Sequence, residues 1–242
     1  MISKKNILHL FLILFTGLVS CSKKENRFRP AGEQVVEIRA TPSFSKIFLE
    51  NHVDLEIQQD SFTEVRVIFG KNLIDGIKTE VKNGELLISD KNGGYWLRGF
   101  KPRAKVIVSV PNLTYITHEG TGQITCANYL RTDTLDVFLK SSGDAEIKVW
   151  NNKFLSHMMG TANLTVTGKT DEHAAYTTGL GFLYAGDLDT RYTWVYSYAT
   201  GDCFLKASDL LIAIIRHDGN VFYRGNPGIE KTISGKGNLL PF

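Results

Sequence analysis

Apolar and polar residues alternate with a period of two along almost the whole chain beyond residue 34. Val36, Ile38 and Ala40 alternate with Glu37 and Arg39, and Val53, Leu55 and Ile57 with Asp54, Glu56 and Gln58. Val65, Val67 and Phe69 repeat the pattern, as do Val106, Val108 and Val110. Successive side chains of a β-strand point to opposite faces, so this alternation predicts half-buried strands. No segment shows the sustained 3.6-residue recurrence of an amphipathic helix. Asn83-Gly84 stands between the runs Ile77–Val81 and Leu86–Ile88. Both residues tolerate positive φ, which predicts a type I′ hairpin. Residues 34–118 therefore read as an N-terminal β region of six to eight short strands. Lys91–Pro102, with Tyr95, Trp96 and Phe100, reads as a loop.

A second regularity begins at residue 119. Short turn motifs recur as Gly120-Thr121-Gly122, Ser141-Ser142-Gly143, Gly160-Thr161-Ala162 and Gly179-Leu180-Gly181. They continue as Ala199-Thr200-Gly201, His217-Asp218-Gly219 and Gly235-Lys236-Gly237. The third positions (Gly122, Gly143, Ala162, Gly181, Gly201, Gly219 and Gly237) are separated by 21, 19, 19, 20, 18 and 18 residues. A near-constant period over seven copies marks a repeat architecture. In a solenoid each coil turns at the same place, directly beneath its neighbours. Glycine suits that place because it reaches positive φ and has no Cβ to strike the next coil.

The position after each turn is Gln123, Asp144, Asn163, Phe182, Asp202, Asn220 or Asn238, and all but Phe182 are polar turn formers. Stacked at the strand spacing, such side chains could form amide ladders. One residue further stand Ile124, Ala145, Leu164, Leu183, Cys203, Val221 and Leu239, an apolar column that predicts an interior. The fold class read from these patterns is all-β. A parallel β-solenoid of about seven coils of 18–21 residues occupies residues 119–242, continuous with the N-terminal β region. An antiparallel sandwich with hairpin turns at similar spacing stays open as the alternative.

The first twenty residues do not belong to this pattern. Lys4 and Lys5 precede an apolar run from Ile7 to Leu18. That run is shorter than the roughly 20 residues that cross a bilayer and has the dimensions of a signal-peptide core. Leu18-Val19-Ser20-Cys21 resembles the lipobox of bacterial lipoproteins, which implies cleavage before Cys21 and a lipid on its thiol. Residues 21–33 are rich in charge, contain Pro30 and Gly32, and read as a tether between lipid and domain. The expected location is the cell envelope, as an outer-membrane lipoprotein facing the periplasm or the surface.

Lipobox, N-terminal strands with a glycine hairpin, then repeated glycine-polar-aliphatic turns together resemble the putative auto-transporter adhesin, head GIN domain family of Bacteroidota. The residues carrying the resemblance are Gly122-Gln123-Ile124, Gly219-Asn220-Val221 and Gly237-Asn238-Leu239, with Val110-Pro111-Asn112-Leu113 leading into the first. It extends over roughly residues 34–240 and implies the fold more firmly than the activity.

Charge narrows the function classes. The chain carries a formal +3, of which Lys4 and Lys5 supply two with no acid in residues 1–20, leaving +1 from residue 21 onward. A near-neutral domain has no electrostatic reason to bind nucleic acid. With Cys21 committed to lipid, Cys126 and Cys203 remain, four coil steps apart and therefore expected to be free thiols. The histidines form no ligand column, and neither a metal nor a cofactor is expected. Glycosidase chemistry needs two carboxyls about 5–9 Å apart. Asp144 and Asp202 are three coils apart, which is too far, and Asp187 and Asp189 also suit an ordinary turn.

Tyr192, Trp194, Tyr196 and Tyr198 alternate with Thr193, Val195 and Ser197, so all four rings share one face of a strand. With the small residues inward, the rings and the nearby Tyr176 form an outward patch suited to a glycan or protein. Ala175, Thr177, Ala213 and Ile215 are expected beside the rings. The sequence thus predicts a non-enzymatic lipoprotein, membrane-bound through its lipid, that presents a solenoid surface for adhesion or for binding a glycan or protein. The alternatives are a solenoid-type carbohydrate-active enzyme (a lyase or hydrolase) and a structural or homo-oligomerising envelope component.

Overall fold

The computed structural model describes residues 30–93 and 103–242. Cys21, the targeting segment, most of the tether, and Tyr95, Trp96 and Phe100 lie outside the described residues. Eight strands precede the repeats: β1 (Gln34–Arg39), β2 (Lys46–Asn51), β3 (Val53–Gln59), β4 (Glu64–Gly70), β5 (Ile77–Lys82), β6 (Glu85–Asp90), β7 (Ala104–Val110) and β8 (Tyr115–Gly120). Ten follow: β9 (Ile124–Cys126), β10 (Thr134–Leu139), β11 (Ala145–Met158), β12 (Leu164–Thr177), β13 (Leu183–Ser197), β14 (Cys203–Lys206), β15 (Leu210–Ile215), β16 (Val221–Arg224), β17 (Gly228–Ile233) and β18 (Leu239–Pro241). β5 and β6 form the expected hairpin, with Asn83 and Gly84 at φ 52° and 74°.

The pairing is parallel through the repeats, which settles the solenoid against the sandwich. Each of the seven turns joins a strand of one ladder to a strand of another. The entry ladder runs β8, β10, the second halves of β11, β12 and β13, then β15 and β17. The exit ladder runs β9, the first halves of β11, β12 and β13, then β14, β16 and β18. The long strands bend between ladders near Asn151, Thr170 and Thr190, which stand in register with one another.

The N-terminal strands extend both ladders. β2 pairs in parallel with β8 on one side and β6 on the other, while β3 pairs with β9 and β7. The spatial order is therefore β6 with β7, then β2 with β3, then β8 with β9, although β2 and β3 come first in the chain. β5 closes the entry ladder against β6, and β4 followed by β1 closes the exit ladder against β7, all antiparallel. At the far end, among the described residues, no further strand pairs with β17 or β18. There Lys231 shares register with the buried Ala213, and Pro241 stands in β18. A charge at an inward position and a proline both discourage another chain from pairing with an open edge.

Register explains the repeated residues. Leu55, Ile124, Ala145, Leu164, Leu183, Cys203 and Val221 are successive partners and fully buried, with Leu239 partly buried at the end. The glycine column has one physical reason, where two were expected. None of its members has positive φ; among the described residues the glycines that do are Gly32, Gly84, Gly168 and Gly225. What excludes a side chain is the coil beneath. A Cβ on Gly181 would overlap the Ala162 carbonyl, one on Gly201 the Gly181 carbonyl, and one on Gly237 the Gly219 carbonyl.

The polar column also works differently from an amide ladder. Apart from Gln123, the side-chain oxygens of this column accept from the backbone N–H one coil on: Asp54 from Gln123 at 2.9 Å, Asp144 from Asn163 at 2.7 Å, and Asn163 from Phe182 at 3.0 Å. Asp202 accepts from Asn220 at 2.7 Å and Asn220 from Asn238 at 3.0 Å. Phe182 has no oxygen to offer, and the chain of bonds restarts at Asp202. The bonds satisfy turn N–H groups that the ladders cannot reach.

The interior is not wholly apolar. Ser156, His173, Thr177, Thr193 and Ser197 are buried, with His173 Nε2 3.0 Å from Ser156 Oγ and its ring against Phe154. Burial lowers His173 to about 3 and His118 to about 4; the acids Asp144 and Asp54 offset the shift of His118 only in part. Burial raises the thiols of Cys126 and Cys203 to about 11 and about 12, so both stay protonated. Both are free, in coils separated by four pairing steps.

Two expectations follow. Gly181→Ala forces a methyl into the neighbouring backbone and should cost about 2–3 kcal/mol in urea unfolding, against less than about 1 kcal/mol for Ala162→Gly. The histidines make stability depend on acid. Their folded pKa values lie below the unfolded value near 6.5, so the unfolded chain takes up the protons and stability falls as pH drops below about 6.5. Going from pH 7.5 to pH 5 should cost about 2 kcal/mol per histidine. His173→Gln should remove about half of that combined loss, measured by the unfolding midpoint at each pH.

Candidate binding surface

Outward residues of the entry ladder stack into columns because the coils are in register. One column runs Phe48, Thr117, Phe138, His157, Tyr176, Tyr196 and Ile214. Within it Phe138 and His157 have ring centroids 3.9 Å apart, His157 and Tyr176 4.9 Å, and Tyr176 and Tyr196 4.8 Å. Their planes agree within 4°. The neighbouring column holds Tyr115, Asp136, Leu155, Ala174, Trp194 and Ile212. Tyr192 lies 6.3 Å from Trp194, and Arg216 caps the Tyr198 ring at 5.4 Å.

The rings picked out in the sequence therefore meet on one outward face. Thr193, Val195 and Ser197 point inward and are at most 1% exposed. Tyr192, Trp194 and Tyr196 are half-buried, while Tyr176 and Tyr198 are 37% and 43% exposed. Their neighbours differ from expectation by one residue. Trp194 stands between Ala174 and Ile212, whereas Ala175, Thr177, Ala213 and Ile215 line the interior beside Val195 and Ser197. Coil lengths vary, so counting along the chain does not fix the register. Phe138, His157, Leu155 and Ile212 belong to the same face and were missed. Their one sequence signal was distance from the turn.

The geometry decides what this face can recognise. Rings stacked plane on plane cover one another, so solvent meets ring edges and phenol oxygens. A sugar ring needs an open aromatic face, which Tyr176 and Tyr196 no longer have. A flat, apolar patch tipped with hydroxyls suits a broad partner instead. Within the stack, His157 Nε2 lies 3.1 Å from Asp136 Oδ1 of the neighbouring column.

A second, shorter aromatic ladder lies on the exit side. Tyr184 stacks on Phe204 at 5.5 Å and Phe204 on Phe222 at 4.9 Å, with Phe242 edge-on to both phenylalanines. Arg224 lies 4.4 Å over Phe242 and 3.5 Å from Asp187. Asp189 is paired with Lys206 at 2.5 Å. Asp187 and Asp189 are thus each paired with a cation. Among the described residues, no group of three His, Cys, Asp or Glu is placed to hold a metal, and no helix is long and apolar enough to cross a membrane.

The profile described as "Putative auto-transporter adhesin, head GIN domain" matches residues 43–227. Crystal structures share the fold. One of a putative adhesin from Bacteroides fragilis superposes with a TM-score of 0.79 at 23% identity, covering 87% of this chain and 97% of the other. A putative lipid binding protein from Parabacteroides distasonis gives 0.70 at 20% identity, and a putative adhesin from Parabacteroides merdae 0.69 at 17%, each with the same coverage. No curated protein matches the chain.

An outward face tolerates truncation better than the interior. Trp194→Ala should cost less than about 1.5 kcal/mol, whereas Leu211→Ala, on the inward side of the adjoining strand, should cost about 2–5 kcal/mol. Urea unfolding of the two variants checks the assignment of faces.

Proposed function

This chain belongs to the putative auto-transporter adhesin, head GIN domain family, and we propose that it is a lipid-anchored, non-enzymatic envelope protein that adheres through the outward aromatic face of its entry ladder. The observation that carries this reading is the alignment of Tyr192, Trp194, Tyr196 and Tyr198 along one coil beside Tyr176 of the preceding coil, with Leu155 and Ile212 in the column of Trp194. Half-buried aromatic rings present large contact area at little entropic cost, because their neighbours already hold them. Ring edges and phenol oxygens suit a protein surface better than a single sugar. The ion pairs of Asp187 and Asp189 support a binding role over hydrolysis, since each carboxylate already has a basic partner.

Attachment rests on the sequence from Lys4 to Cys21. A diacyl- or triacyl-modified Cys21, followed by the tether, would hold the solenoid at the outer membrane while leaving its faces free. The reading predicts that cells carrying Trp194→Ala with Tyr196→Ala lose about tenfold or more of their adhesion to a protein-coated surface. These variants should keep wild-type amounts of folded protein in the membrane fraction. Cys21→Ala should instead release or stall the protein. Unchanged adhesion, or a mature N-terminus without lipid by intact mass, overturns the corresponding part.

A further inference from the structure

Away from both aromatic ladders, Trp150 stands 50% exposed at the bend where the exit side passes back to the entry side. It shares an open recess of about 580 Å³ with Arg131, Asp133, Asn152, Lys169 and Asp171. That volume falls within the roughly 300–1,000 Å³ of small-molecule sites. Trp150 is not stacked in a ring column: register places Lys169 beside it on the next coil. Tyr129 meets it edge to face at 6.3 Å, and the Arg131 guanidinium lies over it at 4.5 Å.

The charges in the recess stand outside any ion pair among the described residues, although Asp171 also acts on Arg191 of the next coil. On adjoining coils of the same bend, Lys206 pairs with Asp189 at 2.5 Å, Arg191 with Asp209 at 2.9 Å and Lys153 with Glu172 at 3.3 Å. Arg131, Lys169 and Asp171 form no ion pair among the described residues, although they line one recess with opposite signs. Asp133 is held by Asn152 Nδ2 at 2.7 Å and Thr134 Oγ1 at 3.2 Å, which leaves acceptor capacity on its carboxylate. Stacking on Trp150 occupies the flat face of Arg131 and leaves its in-plane N–H donors free.

We propose that this recess is a binding subsite for a neutral saccharide unit. The wall combines the half-exposed indole of Trp150, which Arg131 covers on one face only, with donors (Arg131, Lys169) and acceptors (Asp133, Asp171) for the hydroxyls of a sugar ring. Two cations and two anions line the recess, so it carries no net formal charge that would favour a phosphate or a uronic acid over a neutral sugar. A compound that is both donor and acceptor at every edge, and uncharged, is the one that satisfies all four groups. This site does not depend on the adhesive face proposed above.

The test is an array of neutral and acidic oligosaccharides probed with the intact lipoprotein in detergent, followed by titration of the bound glycans. A neutral glycan should bind, and its affinity should change less than about twofold between about 0.05 M and about 0.5 M NaCl. Trp150→Ala and Asp171→Ala should each weaken binding about tenfold or more with an unchanged melting temperature. If Trp150→Ala unfolds the protein, Asp171→Ala and Arg131→Ala, both surface changes, carry the test. Trp194→Ala should leave glycan affinity unchanged, so this site and the adhesive face can fail separately. Absence of any neutral ligand, binding only to acidic glycans with steep salt dependence, or full affinity in the recess variants overturns the proposal.

Discussion

In-register parallel pairing of one coil on the next is the constraint from which the remaining features follow. Backbones at the strand spacing of about 4.8 Å leave no room for a side chain wherever the chain passes directly over a carbonyl. That is why the column of Gly122, Gly143, Gly181, Gly201, Gly219 and Gly237 exists, with Ala162 as its largest member within the repeats. The same spacing brings Asp144, Asn163, Asp202 and Asn220 within reach of the next turn's N–H. It also matches the separation of stacked aromatic planes closely enough that Tyr176 and Tyr196 lie flat on one another. Steric exclusion, turn hydrogen bonding and aromatic stacking are three readings of one distance.

A stack of this kind has two ends and a narrow interior, and both are managed by particular residues. At one end antiparallel β1, β4 and β5 follow the parallel ladders and leave β1 and β5 as the outermost strands. At the other, Lys231 and Pro241 make a further parallel strand unfavourable. Between them the interior narrows to Ala175, Ser156, Thr193, Ser197 and Ala213, small residues that match the bulk placed outside. His173 fits there as a neutral ring bonded to Ser156, and its cost appears only when acid offers the unfolded chain a proton.

The two surfaces differ for a physical reason. In the entry ladder the rings repeat at the same register on adjacent coils and spend their faces on each other. At the bend, register puts Trp150 next to Lys169, and half of the ring stays exposed beside Arg131 and Lys169. An adhesive patch and a sugar-sized recess can thus coexist on one solenoid, because aromatic rings behave differently inside a column and outside one.

Local chemistry was enough to reveal the strands, the period, the apolar column from Ile124 to Val221 and the outward side of Tyr192, Trp194 and Tyr196. Each depends on residues close in the chain: alternation for side-chain direction, and turn composition for the coil. Tertiary structure decided what depends on pairing between distant residues. β2 and β3 stack on β8 and β9 across 69 residues, with Val53 in the glycine column and Asp54 in the polar one, so no repeat signal marks them. The partners of Trp194 shift by one residue because coils of 18 to 20 residues absorb their differences at the bends. The recess at Trp150 gathers Arg131, Asp133, Lys169 and Asp171 from successive coils, each unremarkable in its own turn. Side-chain direction is a local property of a strand, whereas neighbours are set by how coils of unequal length come into register.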